Sequence, residues 1–239
     1  MSKHGNTAAI RFAASQRIEH ILLMVSFSML CLTGLPQRYS SAGWAHAILG
    51  VFGGLQQART VHHFFAVVLI AEALYHGVVV VCELILVRPR PTAMLPGVRD
   101  ARDGLASVAF LLGLRTEKPR YDRYDFRQKV EYWSVIWGTA VMSITGLILL
   151  FPVYATRFLP GVVLPASQIV HSYEAVLAFL AIVTWHFYTA HFAEGILSFD
   201  SSIFTGKTTL ERMKEQHPLE YEQWMAESTA TEASGADRS

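Results

Sequence analysis

The sequence contains ten histidines, and seven of them (His20, His62, His63, His76, His171, His186 and His191) fall in or at the ends of long apolar runs. An imidazole in hydrocarbon costs free energy unless it has a partner, so histidines placed this way mark a functional site. Their spacing narrows the chemistry. His62 and His76 are 14 residues apart and His171 and His186 are 15 apart, which on a helix gives separations of roughly 21 to 23 Å with angular offsets of only about 40° and 60°. Two helices then each carry imidazoles at two depths, as two bis-histidine haems stacked across one bilayer require: facing helices supply the ligands, and each iron takes one Nε2 from either side. There is no Cys-x-x-Cys-His for covalent attachment and no cysteine array for an iron–sulfur cluster. Cys31 and Cys82 lie towards opposite ends of their spans, a depth mismatch that argues against a disulfide.

The elements that must position these side chains are four apolar runs, at about 18–35, 61–87, 130–151 and 169–192. Each is long enough to cross a hydrocarbon core of ~30 Å. With 52% hydrophobic and only 16% charged residues, the expected fold is an all-α, integral-membrane four-helix bundle over 1–200, followed by a polar tail over 201–239. The end of that tail, from about Glu227, has a Ser/Thr/Ala/Glu composition that suggests disorder. The net charge of +1 excludes a generally basic nucleic-acid binder. Its positive residues report topology instead. Lys3, Arg11 and Arg17 precede the first span, and the 88–129 loop carries Arg88, Arg90, Arg99, Arg102, Arg115, Lys118, Arg120, Arg123, Arg127 and Lys129. The opposite side has only Arg38, Arg59 and Arg157, so both termini are expected in the cytoplasm. The first run lacks a small-x-small cleavage site and is expected to be a retained helix. Two further apolar stretches are too short to cross and read as surface-lying helices: Trp44 to Leu55, with His46 as a solvated histidine, and Leu105 to Leu114, flanked by Pro89, Pro91, Pro96 and Pro119. The Arg-rich loop around the second suits anionic lipid head groups.

Following the chain back and forth places His62 and His171 at the outer starts of the second and fourth spans, where each is the other's partner. His20, His76 and His186 lie deeper, so three candidates compete for two inner positions, with His186 common to either choice. Arg17 precedes His20 by three residues and Arg59 precedes His62 by three, which puts each guanidinium on its ligand's face, where it can pair haem propionates or act as an interfacial anchor. Gly138 and Gly146, in the histidine-free third span, suit close approach of either a porphyrin or a neighbouring helix.

Three segments carry a family resemblance. RIEHILLMVSFSMLCLTGLP resembles the first helix of the bacterial cytochrome b subunits of membrane-bound formate dehydrogenase, nickel–iron hydrogenase and thiosulfate reductase; VHHFFAVVLI resembles their second helix and HSYEAVLAFLAIVTWHFY their fourth. The resemblance implies a quinone-linked dihaem cytochrome b in a bacterial inner membrane. Carried over by position, the ligands are His20, His62, His171 and His186, with the first-helix histidine paired to the deeper fourth-helix one, which favours His20 over His76. Two departures stand out. The 15-residue separation of His171 and His186 is one more than the family's usual spacing, which implies either a local π-bulge or a rotated inner ligand. His76 and His191 are additional, which leaves two alternatives: helices 2 and 4 alone hold both haems, or a third haem uses His76 and His191. His63 is expected to cap its helix or face water.

Such a bundle is an electron-transfer subunit rather than a complete enzyme: two haems about 20 Å apart convey electrons between the membrane faces. A quinone or menaquinone partner needs a proton-handling group near one haem. The acids within the spans, Glu72 and Glu174, are candidates, as are Lys129, Glu131 and Tyr132 at the start of the third span, since the resemblance places quinone near the inner haem. It also implies an iron–sulfur or multihaem cytochrome c subunit and a catalytic subunit as partners. Two rivals from other classes are an integral-membrane di-iron oxygenase or desaturase and a non-haem proton or metal transporter. The first clusters histidines three to five residues apart in several boxes, a spacing found here only at His186 and His191; the second draws on Glu72 and Glu174.

Overall fold

The computed structural model describes residues 8–87, 92–192 and 200–236, with side chains through residue 229. Lys3, Arg88, Pro89, Arg90 and Pro91, read above for topology and loop character, lie outside the described residues. Two compact units are present, one formed by Ser15–Cys82 and Ser134–Asp200 and the other by Met1–Ala14, Glu83–Trp133 and Ser201–Ser239.

The first unit contains the helical bundle. Four helical stretches are long and apolar enough to cross a membrane: α1 (Ala14–Arg38), α3 (Leu55–Leu86), α5 (Phe126–Leu150, whose first residues belong to the other unit) and the helix that starts as α7 (Val163–Leu180) and runs to His191. All four begin before the apolar runs themselves, because polar residues at helix ends extend into the interface at no hydrocarbon cost. Between α1 and α3 lies α2 (Gly43–Val51), the first of the expected surface-lying helices, and Gly53 and Gly54 turn the chain into α3 at φ of 85° and 107°, values that favour glycine. A short α6 (Pro152–Phe158), with Pro152 at its start, follows α5; proline is tolerated at this position because the first helical N–H needs no partner.

The faces of α3 show what the bundle is built to bury. Phe64, Val67, Leu74 and Val78 share one face and are each more than 60% exposed, whereas Ala58 and Leu69 are buried on the opposite face, the face that also carries His62 and His76 at helical spacing. Outward apolar and inward polar character suits a lipid solvent. Among the described residues, the largest fully buried side chains are Thr33, Pro36 and Ser26, all on α1.

After α7 the helix changes pitch. Ala181–His186 form a π-helical turn in which the Phe187 N–H bonds the Ile182 carbonyl five residues back, and α8 (Phe187–His191) follows. The extra residue between His171 and His186 is absorbed in this bulge, the first of the two alternatives the spacing allowed. Cys31 and Cys82 are both free thiols.

The second unit joins the chain's beginning, its long loop and its tail. Strand β1 (Ala8–Ile10) pairs antiparallel with β2 (Lys207–Thr209), Ala9 opposite Thr208. Helix α4 (Val98–Leu111) starts earlier than the apolar stretch that marked it, and α9 (Ser202–Thr205), α10 (Leu210–Gln216) and α11 (Pro218–Ala236) complete the unit. Where disorder was expected from about Glu227, α11 continues as helix to Ala236. Its first turn is anchored: Leu219 N–H bonds the Tyr121 carbonyl, and the Glu220 carboxylate receives both Arg11 and Arg123, the latter at 2.8 Å. Arg11 is 5% exposed and also meets Nε2 of His217 at 3.0 Å.

Candidate haem-binding site

Within the bundle unit, the histidines meet in two pairs. His62 on α3 faces His171 on α7 with ring centroids 6.4 Å apart. His20 on α1 faces His186, at the end of the π turn, with centroids 6.2 Å apart. A metal–imidazole bond is about 2.0 Å and an imidazole nitrogen lies about 1.1 Å from its ring centre, so two imidazoles on opposite sides of one iron have centroids about 6.2 to 6.3 Å apart. Both pairs meet that spacing.

The His62–His171 pair is held the same way on both sides. Thr33 donates its hydroxyl proton to the Met29 carbonyl at 2.7 Å and thus accepts from Nδ1 of His62 at 3.0 Å. Thr145 repeats this on α5, donating to Val141 O at 2.7 Å and accepting from Nδ1 of His171 at 3.0 Å. With the proton fixed on Nδ1, each Nε2 keeps its lone pair for a metal. Glycines beside the threonines admit the rings: a β-carbon on Gly34 would lie 2.9 Å from Cε1 of His62, and one on Gly146 would lie 3.2 Å from Cε1 of His171. Gly146 thus makes room for an imidazole, while Gly138 leaves space for Glu174, whose Oε1 would be 3.2 Å from a β-carbon there.

The His20–His186 pair has a different surround. Nδ1 of His20 and Nε of Arg17, one turn apart on α1, are both buried without a hydrogen-bond partner. A buried cationic donor without a partner is costly in a finished interior, and the orphaned Nε of Arg17 fits a site that takes an anionic group. His76 is held at Nδ1 by Oε2 of Glu19 at 2.7 Å, with Glu72 one turn before it on α3. His191 packs edge-on against Phe187, centroids 5.0 Å apart. His63 is exposed and touches His62 only at its ring edge; His46 and Arg59 are exposed. Lys129 and Tyr132 belong to the other unit, where Lys129 pairs with Asp100 at 2.8 Å and Tyr132 stacks edge-to-face on Trp133. Among the described residues, no three of His, Cys, Asp and Glu converge in the manner of a non-haem metal centre.

Sequence reasoning missed Thr33, Thr145, Gly34 and Glu19. The signal for the first three is the repeated tripeptide Thr-Gly-Leu at 33–35 and 145–147, one copy in each helix that buttresses a histidine of the neighbouring helix.

A sequence model of the prokaryotic cytochrome b561 family matches residues 11–206. Similar proteins include the formate dehydrogenase cytochrome b556 subunit of Haemophilus influenzae, 24% identical over 216 residues that cover 90% of this chain and 83% of the relative. The cytochrome b556(Fdn) subunit of the nitrate-inducible formate dehydrogenase of Escherichia coli K12 is 24% identical over 212 residues, 89% of each chain. The formate dehydrogenase cytochrome b556(fdo) subunit of the same strain is 24% identical over 219 residues, covering 89% of this chain and 91% of the relative.

Proposed function

The chain belongs to the prokaryotic cytochrome b561 family, and from that premise we propose that it is the membrane-anchoring subunit of a respiratory oxidoreductase, passing electrons between a quinone pool and a redox partner through two bis-histidine b haems. Family membership makes it a multi-pass membrane cytochrome b of electron transport. In this reading His62 and His171 hold the outer haem and His20 and His186 the inner one, while Arg17 pairs a propionate of the latter. The observation that carries the reading is the pair of centroid separations, 6.4 and 6.2 Å, together with the threonine locks that free Nε2 on His62 and His171. Haem b supplies one-electron exchange when bound; the chain supplies axial nitrogen, hydrocarbon burial and fixed charge. His76, engaged by Glu19, is assigned to the surround of the inner site rather than to iron, and His191 likewise.

Quinone chemistry adds protons, for which Glu72 and Glu174 within the spans, and Lys129 and Tyr132 at the start of α5, are the candidate groups. The Lys/Arg distribution supports cytoplasmic termini in a bacterial inner membrane. The relatives' names favour a formate dehydrogenase complex, in which an iron–sulfur or multihaem cytochrome c subunit would link this chain to a catalytic subunit. A pyridine haemochrome assay on the purified protein tests the reading: two noncovalent b haems per chain are expected. Metal without haem, or haem that stays on the chain after acid–acetone extraction, would overturn it.

A further inference from the structure

We propose that Arg38, seated in a polar cavity with Gln37 and Gln168, clamps a propionate of the haem held by His62 and His171, the role that the sequence alone gave to Arg59; this inference rests on the haem reading above. The cavity, of about 280 Å³, is lined by Gln37, Arg38, Gln168, Ile169 and Ser172. At ~30 Å³ of liquid per water, it has room for a carboxylate with its hydration. Both walls connect to the outer pair. Gln37 donates to the Thr33 carbonyl at 2.8 Å, and Thr33 holds His62; Ser172 is the residue after His171, and Gln168 lies one turn before it.

Arg38 is solvent-exposed, but its guanidinium is anchored against the wall of the cavity. It donates to Ser172 Oγ at 2.8 Å and lies over the Tyr173 ring at 4.3 Å; Ser172 in turn donates to the Gln168 carbonyl at 2.6 Å. Arginine has five N–H donors, no acid lines the cavity, and Arg38 has no carboxylate partner among the described residues. A cation held by a neutral wall beside two metal-ligating imidazoles matches a carboxylate carried by the cofactor.

Arg38→Gln, Arg38→Lys and Arg59→Gln variants of the full protein, purified in detergent, test this by redox titration with low-spin EPR; the outer haem is identified as the one perturbed in His171→Ala. Removing a cation destabilises the reduced haem, so Arg38→Gln is expected to keep two haems while the outer one becomes up to about tenfold harder to reduce, or about 59 mV lower for one electron. Arg38→Lys should shift less, and Arg59→Gln not at all. Loss of the outer haem alone in Arg38→Gln, with the inner signal intact, supports the same assignment. Unmoved potentials in Arg38→Gln overturn it. So does a shift only in Arg59→Gln, or unchanged potentials with loss of a partner subunit, which would give the cavity to a protein carboxylate. A parent protein without haem would instead overturn the functional reading itself.

Discussion

Gly34 and Thr33 act on His62 from adjacent positions, one by absence of volume and one by an oxygen. A methyl on Gly34 would sit 2.9 Å from the imidazole, too close without displacing the ring, and overpacking of this kind costs about 1–3 kcal/mol. Gly34→Ala is expected to turn the outer haem high-spin or lower its occupancy. Gly146→Ala, whose β-carbon would lie 3.2 Å from the His171 ring, should do the same more weakly, as EPR and haem content will show. Thr33→Val keeps the shape and removes the acceptor for Nδ1, so haem should stay but be held on the order of 10- to 100-fold less tightly. Of the four proposed ligands, His62, His171 and His186 were marked by helical spacing and by depth in their spans, whereas His20 was favoured over the equally spaced His76 only by the family resemblance. Thr33 and Thr145 were not legible, because a mid-helix threonine reads as bonded to its own backbone. Both do make that bond, which is what leaves the oxygen able to accept from histidine. Nor does the sequence alone place Glu19 against His76, since the contact joins α1 to α3.

The four spans were readable as elements, since hydrocarbon thickness and continuous apolar composition determine them together. Their starts were read four to six residues late because polar residues there are solvated at the interface. The π turn at Ala181–His186 was one of two alternatives raised by comparing the His171–His186 separation with a related family, because no local residue marks it. It gives an element-scale expectation. Deleting Val183 alone should convert the π turn to regular α-helix, leave His186 opposite His20 and preserve the inner low-spin signal. Deleting Ile182 and Val183 together turns His186 by about 100° and should abolish that signal while sparing the outer haem. Helix α11 went unread because its Ala/Glu/Thr stretch has a weak apolar face, whereas its first turn is anchored by Arg11, Arg123 and Tyr121, far away in sequence.

At the scale of the whole molecule, the described chain joins a membrane bundle to a charged unit in which the first strand, the long loop and the tail are tied together. His217 keys that unit: Nδ1 donates to the Asp122 carbonyl at 2.7 Å and Nε2 faces Arg11 at 3.0 Å. Burial, and then the Arg11 charge, hold its pKa below the usual 6.5. The unfolded chain therefore binds the proton more readily, so this contribution to stability is complete above about pH 6.5 and is lost as pH falls through the lower, folded value. Hydrogen-exchange protection factors at Leu219 and along α10, with the intrinsic pH dependence divided out, should fall between pH 7.5 and 5, and His217→Gln should flatten that dependence. The sequence showed a polar tail but not its tie to the N-terminal strand, because a three-residue pairing has no periodic signature. The central claim is that four histidines work as two pairs, and it is tested most directly by redox titration and EPR of the single alanine variants. His62→Ala and His171→Ala should each disrupt one and the same haem; His20→Ala and His186→Ala should each disrupt the other; and His76→Ala should leave both bis-imidazole. Loss of the inner haem in His76→Ala with a normal one in His20→Ala would contradict the pairing.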